Sequence, residues 1–575
     1  MIFPSIHFFT LTAALTSHLA LGAALIPRSV PGSKHDTQTP FPGVPMPSSL
    51  PAGLDLLQTS IRQLGSFLNN GSVTSVQLVQ AQHRGDNLHG LNLRAVLQVA
   101  PPHDLLRIAQ ILDDERRAGT VRSEMHGIPI LVKDNIATAR ELGMHTTGGS
   151  LALEHAVAEQ DAFVVKRLRD AGAIVLAKSS LSELAGVKGV LRAFSPSETG
   201  TTNGWSALGG QTSSGYVFGG FENGGDPMGS SSGSAVGVSV GWAAGALGTD
   251  TAGSTVGPAS RAALYAIRPT LGLLSRSGVM PVSLEHETVG PMGFTAYDVA
   301  LMLELMMGRE DRDEKTSRIP PQYPPSLTPY AAPLHATFHS LSLGFVRGAF
   351  YDSPDPTFLI PGSCPETVQA SMIHAIIALR ALGANVSDVE MPLDHRGLRE
   401  VREASVMAWV NEFREDWEGF LPSLTNRSVN SLEELINFND RHAAAEMPPG
   451  ECCQDLLVSA LAAGGRDSPQ HAKATETLHH LAGERGLDHL FRAELGLDAL
   501  VFSVELGQPL TLTGAMGYPA VTVPLGYCAN GLPYGLMFVA RKWHEPTLIS
   551  MMAAWEASWE QRRVPEPLLE SNRPQ

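Results

Sequence analysis

Hydrophobic and polar positions along the chain alternate between two periods. Leu105–Arg117 is amphipathic at helical spacing, with Gly119 placed to end it. Ile128–Val132 is a short apolar run after Gly127, which predicts a buried strand. Asp161–Asp170 again reads as a helix, closed by Gly172, and Ala173–Ala177 as a second buried strand. Helices are also predicted over Leu56–Leu68 and Ser75–His83. This αβ alternation predicts a mostly parallel sheet with helices on its faces. Residues 186–228 are Gly- and Ser-rich and lack clear periodicity, and a loop that long inside a compact domain is usually functional. Ser234–Ala244 is full of Ala, Val and Gly, consistent with a tightly packed helix, and Ala246–Asp250 follows as a strand. The Pro-rich stretch Pro320–Pro333 divides the chain. Arg399–Leu497 is largely helical and holds most of the remaining charge. Ala520–Pro524 and Gly535–Ala540 read as late strands of the same sheet, and Glu545–Arg562 as a closing helix.

The first residues read differently. Phe8–Ile26 is mostly apolar, carries no Asp, Glu, Lys or Arg, and ends in small residues. Ala20-Leu21-Gly22 and Gly22-Ala23-Ala24 both fit a small-x-small cleavage site, although a positive n-region is missing. Pro4, His7 and His18 make the run a poor permanent membrane span. The expected organisation is a signal peptide over 1–24, a Pro-rich linker or pro-segment over 25–54, and a single domain over 55–570 with a helical, variable region at 399–497. Secretion or residence in the secretory lumen follows, without stable membrane insertion. Three sequons add N-glycosylation candidates at Asn70, Asn385 and Asn426. Cys364, Cys452, Cys453 and Cys528 allow three full pairings, and sequence cannot choose among them. The plain expectation is one disulfide or none.

Composition narrows the function classes. Hydrophobic residues make up 43% of the 575, so the 56 glycines and 40 prolines mark turns and close backbone approaches in a cored protein. Formal charge is 41 − 57 = −16, which argues against a nucleic-acid or anionic-membrane surface. The 20 histidines are scattered, and HExxH, CxxC and GxxxxGK[ST] are all missing. No metal and no cofactor is expected.

Nucleophilic catalysis remains. Gly229-Ser230-Ser231-Ser232-Gly233-Ser234 is too short, and too quickly followed by apolar helix-compatible sequence, to be a flexible linker. Its first five residues satisfy G-x-S-x-G, which would make Ser231 the nucleophile of an α/β-hydrolase-like esterase. That arrangement also needs an upstream HGGG-type loop, which the chain lacks.

A third reading uses more of the chain. His126-Gly127-Ile128-Pro129-Ile130-Leu131-Val132-Lys133-Asp134-Asn135-Ile136 stands upstream of the serine run, and Gly248-Thr249-Asp250-Thr251-Ala252-Gly253-Ser254-Thr255-Val256-Gly257-Pro258 downstream. With a separation of 254 − 230 = 24 between two serines, the three segments in order resemble the amidase signature family. Leu168 to Ala185, Gly204-Trp205-Ser206, Gly209-Gly210-Gln211-Thr212, Gly517-Tyr518-Pro519-Ala520-Val521-Thr522-Val523-Pro524 and Gly531-Leu532-Pro533-Tyr534-Gly535-Leu536 extend the likeness, the glycine-rich pieces towards a peptide-amidase-type branch. Residues 55–310 and 495–565 match well and the middle only loosely.

The resemblance implies an α/β fold with a large mixed central sheet, helices on both faces and a mainly helical insertion. It implies hydrolysis of a carboxamide C–N bond through a serine acyl-enzyme. Ser254 would be nucleophile, Ser230 the bridging proton shuttle after a cis peptide, and Lys133 the base. Thr251, Ala252, Gly253 and Ser254 would offer backbone N–H groups to the oxyanion. Lys133 must then be neutral at working pH, which burial promotes by disfavouring the charged form. Alone, Lys133 beside Asp134 reads as an ordinary salt-bridged lysine; the co-occurrence with both serines changes that. The chain departs from the family where Ala252-Gly253-Ser254-Thr255-Val256 stands for Gly-Gly-Ser-Ile-Arg, and where Leu208 replaces an arginine of the peptide-amidase branch. Expected substrates are small-molecule or peptide amides, acyl or aryl amides, or a specialised-metabolite intermediate, taken by a monomer or homodimer. A catalytically inactive amide-binding member and a glutaminase subunit of a tRNA amidotransferase are the other readings.

Overall fold

The computed structural model describes residues 50–51, 53–82, 92–189, 200–332 and 335–571. The leader at 1–24, the linker up to 49, His83 and Pro333 lie outside them. Eleven strands form one sheet. In chain order they are β1 (Val96–Val99), β2 (Pro129–Lys133), β3 (Ile174–Ser179), β4 (Gly245–Asp250), β5 (Tyr265–Arg268), β6 (Thr288–Gly293), β7 (Ser342–Val346), β8 (Asn385–Val389), β9 (Ala499–Ser503), β10 (Ala520–Tyr527) and β11 (Pro533–Ala540). Across the sheet the order is β1-β3-β2-β4-β6-β5-β10-β11-β9-β7-β8.

The sheet is mixed rather than mostly parallel. β3, β2 and β4 are parallel to their neighbours in that run, and β8, β7 and β9 form a second parallel run. Antiparallel pairs join the two through β6, β5, β10 and β11. The αβ alternation read from residues 105–177 is real but local, and the later strands connect without a crossover helix between each pair.

Alternation along the late strands shows that both faces are covered. Leu500 and Phe502 enter one hydrophobic core while Ala499 and Val501 enter another. Met537 and Val539 likewise separate from Leu536 and Phe538. Side chains on a strand alternate between faces, so the two cores lie on opposite sides.

Helix boundaries follow local chemistry. Ser60 caps the helix Ile61–Asn69 in a capping box with Gln63, so it starts after the expected Leu56. The expected helix over Ser234–Ala244 occupies Ser232–Ser239, because Gly241 turns the chain with φ +79°. The 399–497 region carries His395–Phe420, Leu432–Arg441, Asp455–Ala462 and Pro469–Thr477 as helices. It packs back through Leu424 and Thr425, which pair with Val157 and Ala158.

All four cysteines are paired, correcting the expectation of one disulfide or none: Cys364 with Cys528, and Cys452 with its neighbour Cys453. Asn70, Asn385 and Asn426 are all exposed. Among the described residues, no helix is long and apolar enough to cross a membrane.

Candidate active site

β2 is buried along its whole length and ends at Lys133, so the sheet delivers this lysine to the carboxyl end of its parallel run. Open α/β sheets place their ligand crevices at such ends. Asp250 ends the adjacent β4, and the loop after it carries Thr251 to Ser254. The helix Ser232–Ser239 begins beside them, preceded by the cis peptide Gly229–Ser230.

Lys133 is 0% exposed, and its Nζ lies 2.7 Å from Ser230 Oγ and 2.9 Å from Thr249 Oγ1. Asn135 Nδ2 also donates to Thr249 Oγ1, at 3.1 Å. Burial pulls the lysine down from 10.5 to about 7, against the opposing pull of the Glu287 and Asp250 carboxylates. Asp134 does not pair with Lys133. Its carboxylate accepts the N–H groups of Thr147 at 3.0 Å and Gly149 at 3.3 Å and faces Lys178 at 3.9 Å. Adjacent strand residues point to opposite faces, which separates the two.

Backbone bonds lock the serine run in place. Ser182 N–H donates to the Ser230 carbonyl at 3.0 Å, and Ser231 N–H donates to the Ser254 carbonyl at 3.2 Å. The two serines 24 residues apart in sequence thus lie on contacting segments. Ser254 is half-buried, and no side-chain hydrogen bond joins Ser230 to Ser254.

Ser231 has a different setting. It is 0% exposed, and its Oγ donates to the Thr249 carbonyl at 3.2 Å and accepts the Thr249 N–H at 3.3 Å. A hydroxyl so engaged is not presented to a substrate, which counts against the esterase reading.

Asp250 organises the loop that follows it. Its carboxylate accepts the N–H groups of Gly253 at 2.6 Å, Thr255 at 2.7 Å and Val256 at 3.3 Å. Arg268 Nη1 holds the same carboxylate at 2.7 Å, with both side chains fully buried. Arg268 and Asp250 therefore support the loop where Val256 replaces the family arginine. The expected oxyanion set needs one change: Gly253 has its N–H committed to Asp250. No acceptor among the described residues takes the N–H groups of Thr251, Ala252 or Ser254. Gly253 instead gives the loop its shape, with φ +98° and a Cβ position only 2.7 Å from Leu510 Cβ.

Sequence reasoning passed over Thr249, Asn135 and Glu287. The first two lie inside quoted motifs, where a hydroxyl and an amide close to a lysine were a usable signal. Glu287 is 154 residues from Lys133, and nothing local marks it. Among the described residues, no group of three or more His, Cys, Asp or Glu side chains could hold a metal ion.

The chain is similar to several known proteins. A family model described as Amidase matches residues 88–515. A probable amidase of Arabidopsis thaliana is 32% identical over 524 residues, covering 90% of this chain and 93% of its own. A putative amidase of Schizosaccharomyces pombe is 30% identical over 533 residues, covering 89% of this chain and 87% of its own. Among solved structures, the native peptide amidase of Stenotrophomonas maltophilia aligns with a TM-score of 0.76 at 34% identity, over 88% of this chain and 98% of that one. A peptide amidase in complex with the competitive inhibitor chymostatin aligns at 0.77, also 34% identical, over 88% and 99%.

Proposed function

The chain belongs to the amidase family, and from that premise we propose that it hydrolyses a carboxamide C–N bond with Ser254 as nucleophile, Ser230 as proton relay and Lys133 as base. The observation that carries this reading is the fully buried Lys133 amine, 2.7 Å from Ser230 Oγ. A serine hydroxyl is a poor nucleophile until a base takes its proton. Ser254 Oγ attacks the amide carbonyl while its proton passes to Ser230, whose own proton goes to Lys133. The tetrahedral oxyanion is met by the N–H groups of Thr251, Ala252 and Ser254, where each donor is worth roughly 3–4 kcal/mol. Ser230 then protonates the leaving nitrogen, taking its proton back from Lys133. Water resolves the acyl-enzyme by the same relay.

The substrate class we propose is a peptide amide or a related small amide. The likeness to a peptide amidase supports it. The test is labelling with a fluorophosphonate, followed by peptide mapping and turnover on a panel of peptide, aryl and fatty amides. An adduct on Ser254, with activity lost in Ser254→Ala, is the expected result. An active Ser254→Ala enzyme would refute the assignment. An unlabelled wild type that turns over nothing would leave an inactive amide-binding protein.

We further propose a secretory-pathway location. Two disulfides and three exposed sequons support it, since disulfides persist in oxidising compartments. Endoglycosidase treatment of protein expressed with its leader should lower its mass; an unchanged mass together with protein retained in the cytosol would refute it.

A further inference from the structure

The relay leaves one buried carboxyl in its immediate surroundings without a role. Glu287 is 1% exposed and directly precedes β6. In the antiparallel ladder Asp250 faces Thr288 and Thr249 faces Val289. Glu287 and Thr249 therefore fall on one face of the sheet as diagonal neighbours. Glu287 Oε2 accepts the Val282 N–H at 2.7 Å. Its other oxygen, Oε1, is buried with no partner at hydrogen-bonding distance, and the carboxyl faces the Thr249 hydroxyl and Lys133.

Counting lone pairs gives this arrangement a direction. A hydroxyl accepts two hydrogen bonds and donates one. Thr249 Oγ1 already receives Lys133 Nζ and Asn135 Nδ2. Its remaining capacity is its own proton, and the unpartnered Glu287 Oε1 lies on that side, beyond hydrogen-bonding distance.

The other charges around Lys133 are taken. Asp250 is held by Arg268 and by the loop it caps. Asp134 faces Lys178. Arg276, which bears on Glu287, is bound by Asp313. Among the described residues Glu287 makes no ion pair of its own within 4.0 Å. The loop carrying it is anchored from outside the sheet. Leu284 N–H donates to Asp416 at 2.8 Å and the Ser283 hydroxyl to Glu412, both on the helix His395–Phe420. Arg268 Nη2 donates to the His286 carbonyl at 2.6 Å.

We propose that Glu287 is a positioning residue for the base: acting through the Thr249 hydroxyl, it holds the Lys133 amine towards Ser230 and compensates the positive charge the lysine acquires in the relay. The inference rests on the triad reading above. The step moves one proton from Ser254 Oγ by way of Ser230 Oγ to Lys133 Nζ; no bond forms to Glu287 and nothing is oxidised. The helical insertion thereby contributes to the chemistry, since two of its carboxylates anchor the loop that carries Glu287.

The test reads the pH dependence of Ser254 phosphonylation and of kcat/KM in Glu287→Gln, which keeps the shape and removes the charge. Without the carboxylate, the ammonium form of Lys133 loses a stabilising neighbour. The rising limb is expected to move to lower pH by about one unit, the low end for the loss of a nearby opposite charge. Glu287→Asp keeps the charge and is expected to restore the limb to near its wild-type position. A purely structural role would lower the rate at every pH and leave the limb in place. A folded Glu287→Gln enzyme with an unmoved limb therefore overturns the proposal. Should Glu287→Gln not fold, Thr249→Val removes the bridging hydroxyl at equal volume, and an unmoved limb there overturns it equally. Wild-type enzyme that takes no label on Ser254 would sink the triad reading and this inference together, whereas normal labelling with an unmoved limb sinks this inference alone.

Discussion

Replacing Lys133 with methionine should abolish hydrolysis and yet stabilise the folded protein at neutral pH. A lysine drawn from 10.5 to about 7 carries a folding cost on the order of 5 kcal/mol, at roughly 1.4 kcal/mol per unit. In the proposed relay the return is base availability. At pH 7 an unperturbed lysine is neutral in roughly one molecule in 3,000, whereas one titrating at about 7 is neutral in half. The sign of the stability effect follows from the same shift. The unfolded chain holds its proton up to 10.5 and the folded chain only to about 7, so the cost is fully present below about 7. It fades as pH rises between the two and is gone above 10.5. Methionine removes that cost but leaves Ser230 Oγ and Thr249 Oγ1 without their Lys133 bond, which offsets about 1–3 kcal/mol. The net expectation is a gain of a few kcal/mol near neutrality that disappears in alkali. Thermal unfolding of wild type and Lys133→Met at about pH 7 and above about pH 10.5 measures it. In parallel, wild-type kcat/KM should rise with pH through about 7 and level off. A variant destabilised equally at both pH values, or a rising limb displaced to the pH of an ordinary lysine, would refute the reasoning.

Three further outcomes follow from the same geometry. Ser231→Ala should still form the Ser254 adduct while losing about 1–3 kcal/mol of stability, since its hydroxyl serves the Thr249 backbone; a folded variant without the adduct would revive Ser231 as nucleophile. Gly229→Ala should lower kcat by about a hundredfold or more, because its Cβ would stand 2.4 Å from Ser182 Oγ and 2.9 Å from Asn203 Oδ1, next to the relay serine; wild-type turnover would show that the segment can yield. Cys364→Ser should cost about 2–4 kcal/mol, because the lost bond closes a loop between residues 164 apart; an unchanged Tm in the variant and in reduced wild type would show that this bond contributes nothing.

Much of the candidate site was legible because the residues proposed to carry the chemistry sit in local motifs. The Gly-Ile-Pro approach to Lys133, the serine run and the 24-residue step to Ser254 are statements about neighbours in the chain, and the helices and strands around them follow from the period of their apolar positions. The capping box at Ser60 and the turn at Gly241 set boundaries by equally local chemistry. Other features depend on contacts that no local pattern encodes. The order of eleven strands joins two parallel runs through antiparallel neighbours, and composition does not specify that order. Pairing of Cys364 with Cys528 was one of several options until the end of β10 met the start of a distant helix. Asp134, the obvious partner of Lys133, is turned to the other face by the pleat, and Gly253 gives its N–H to Asp250 rather than to a substrate. Glu287, 154 residues from Lys133, is brought diagonal to Thr249 by one ladder register. The sequence by itself determined which groups can do chemistry, because reactivity belongs to residue type and near neighbours. Only the tertiary structure decided which protons those groups hold, because that depends on burial and on charges brought from elsewhere in the chain.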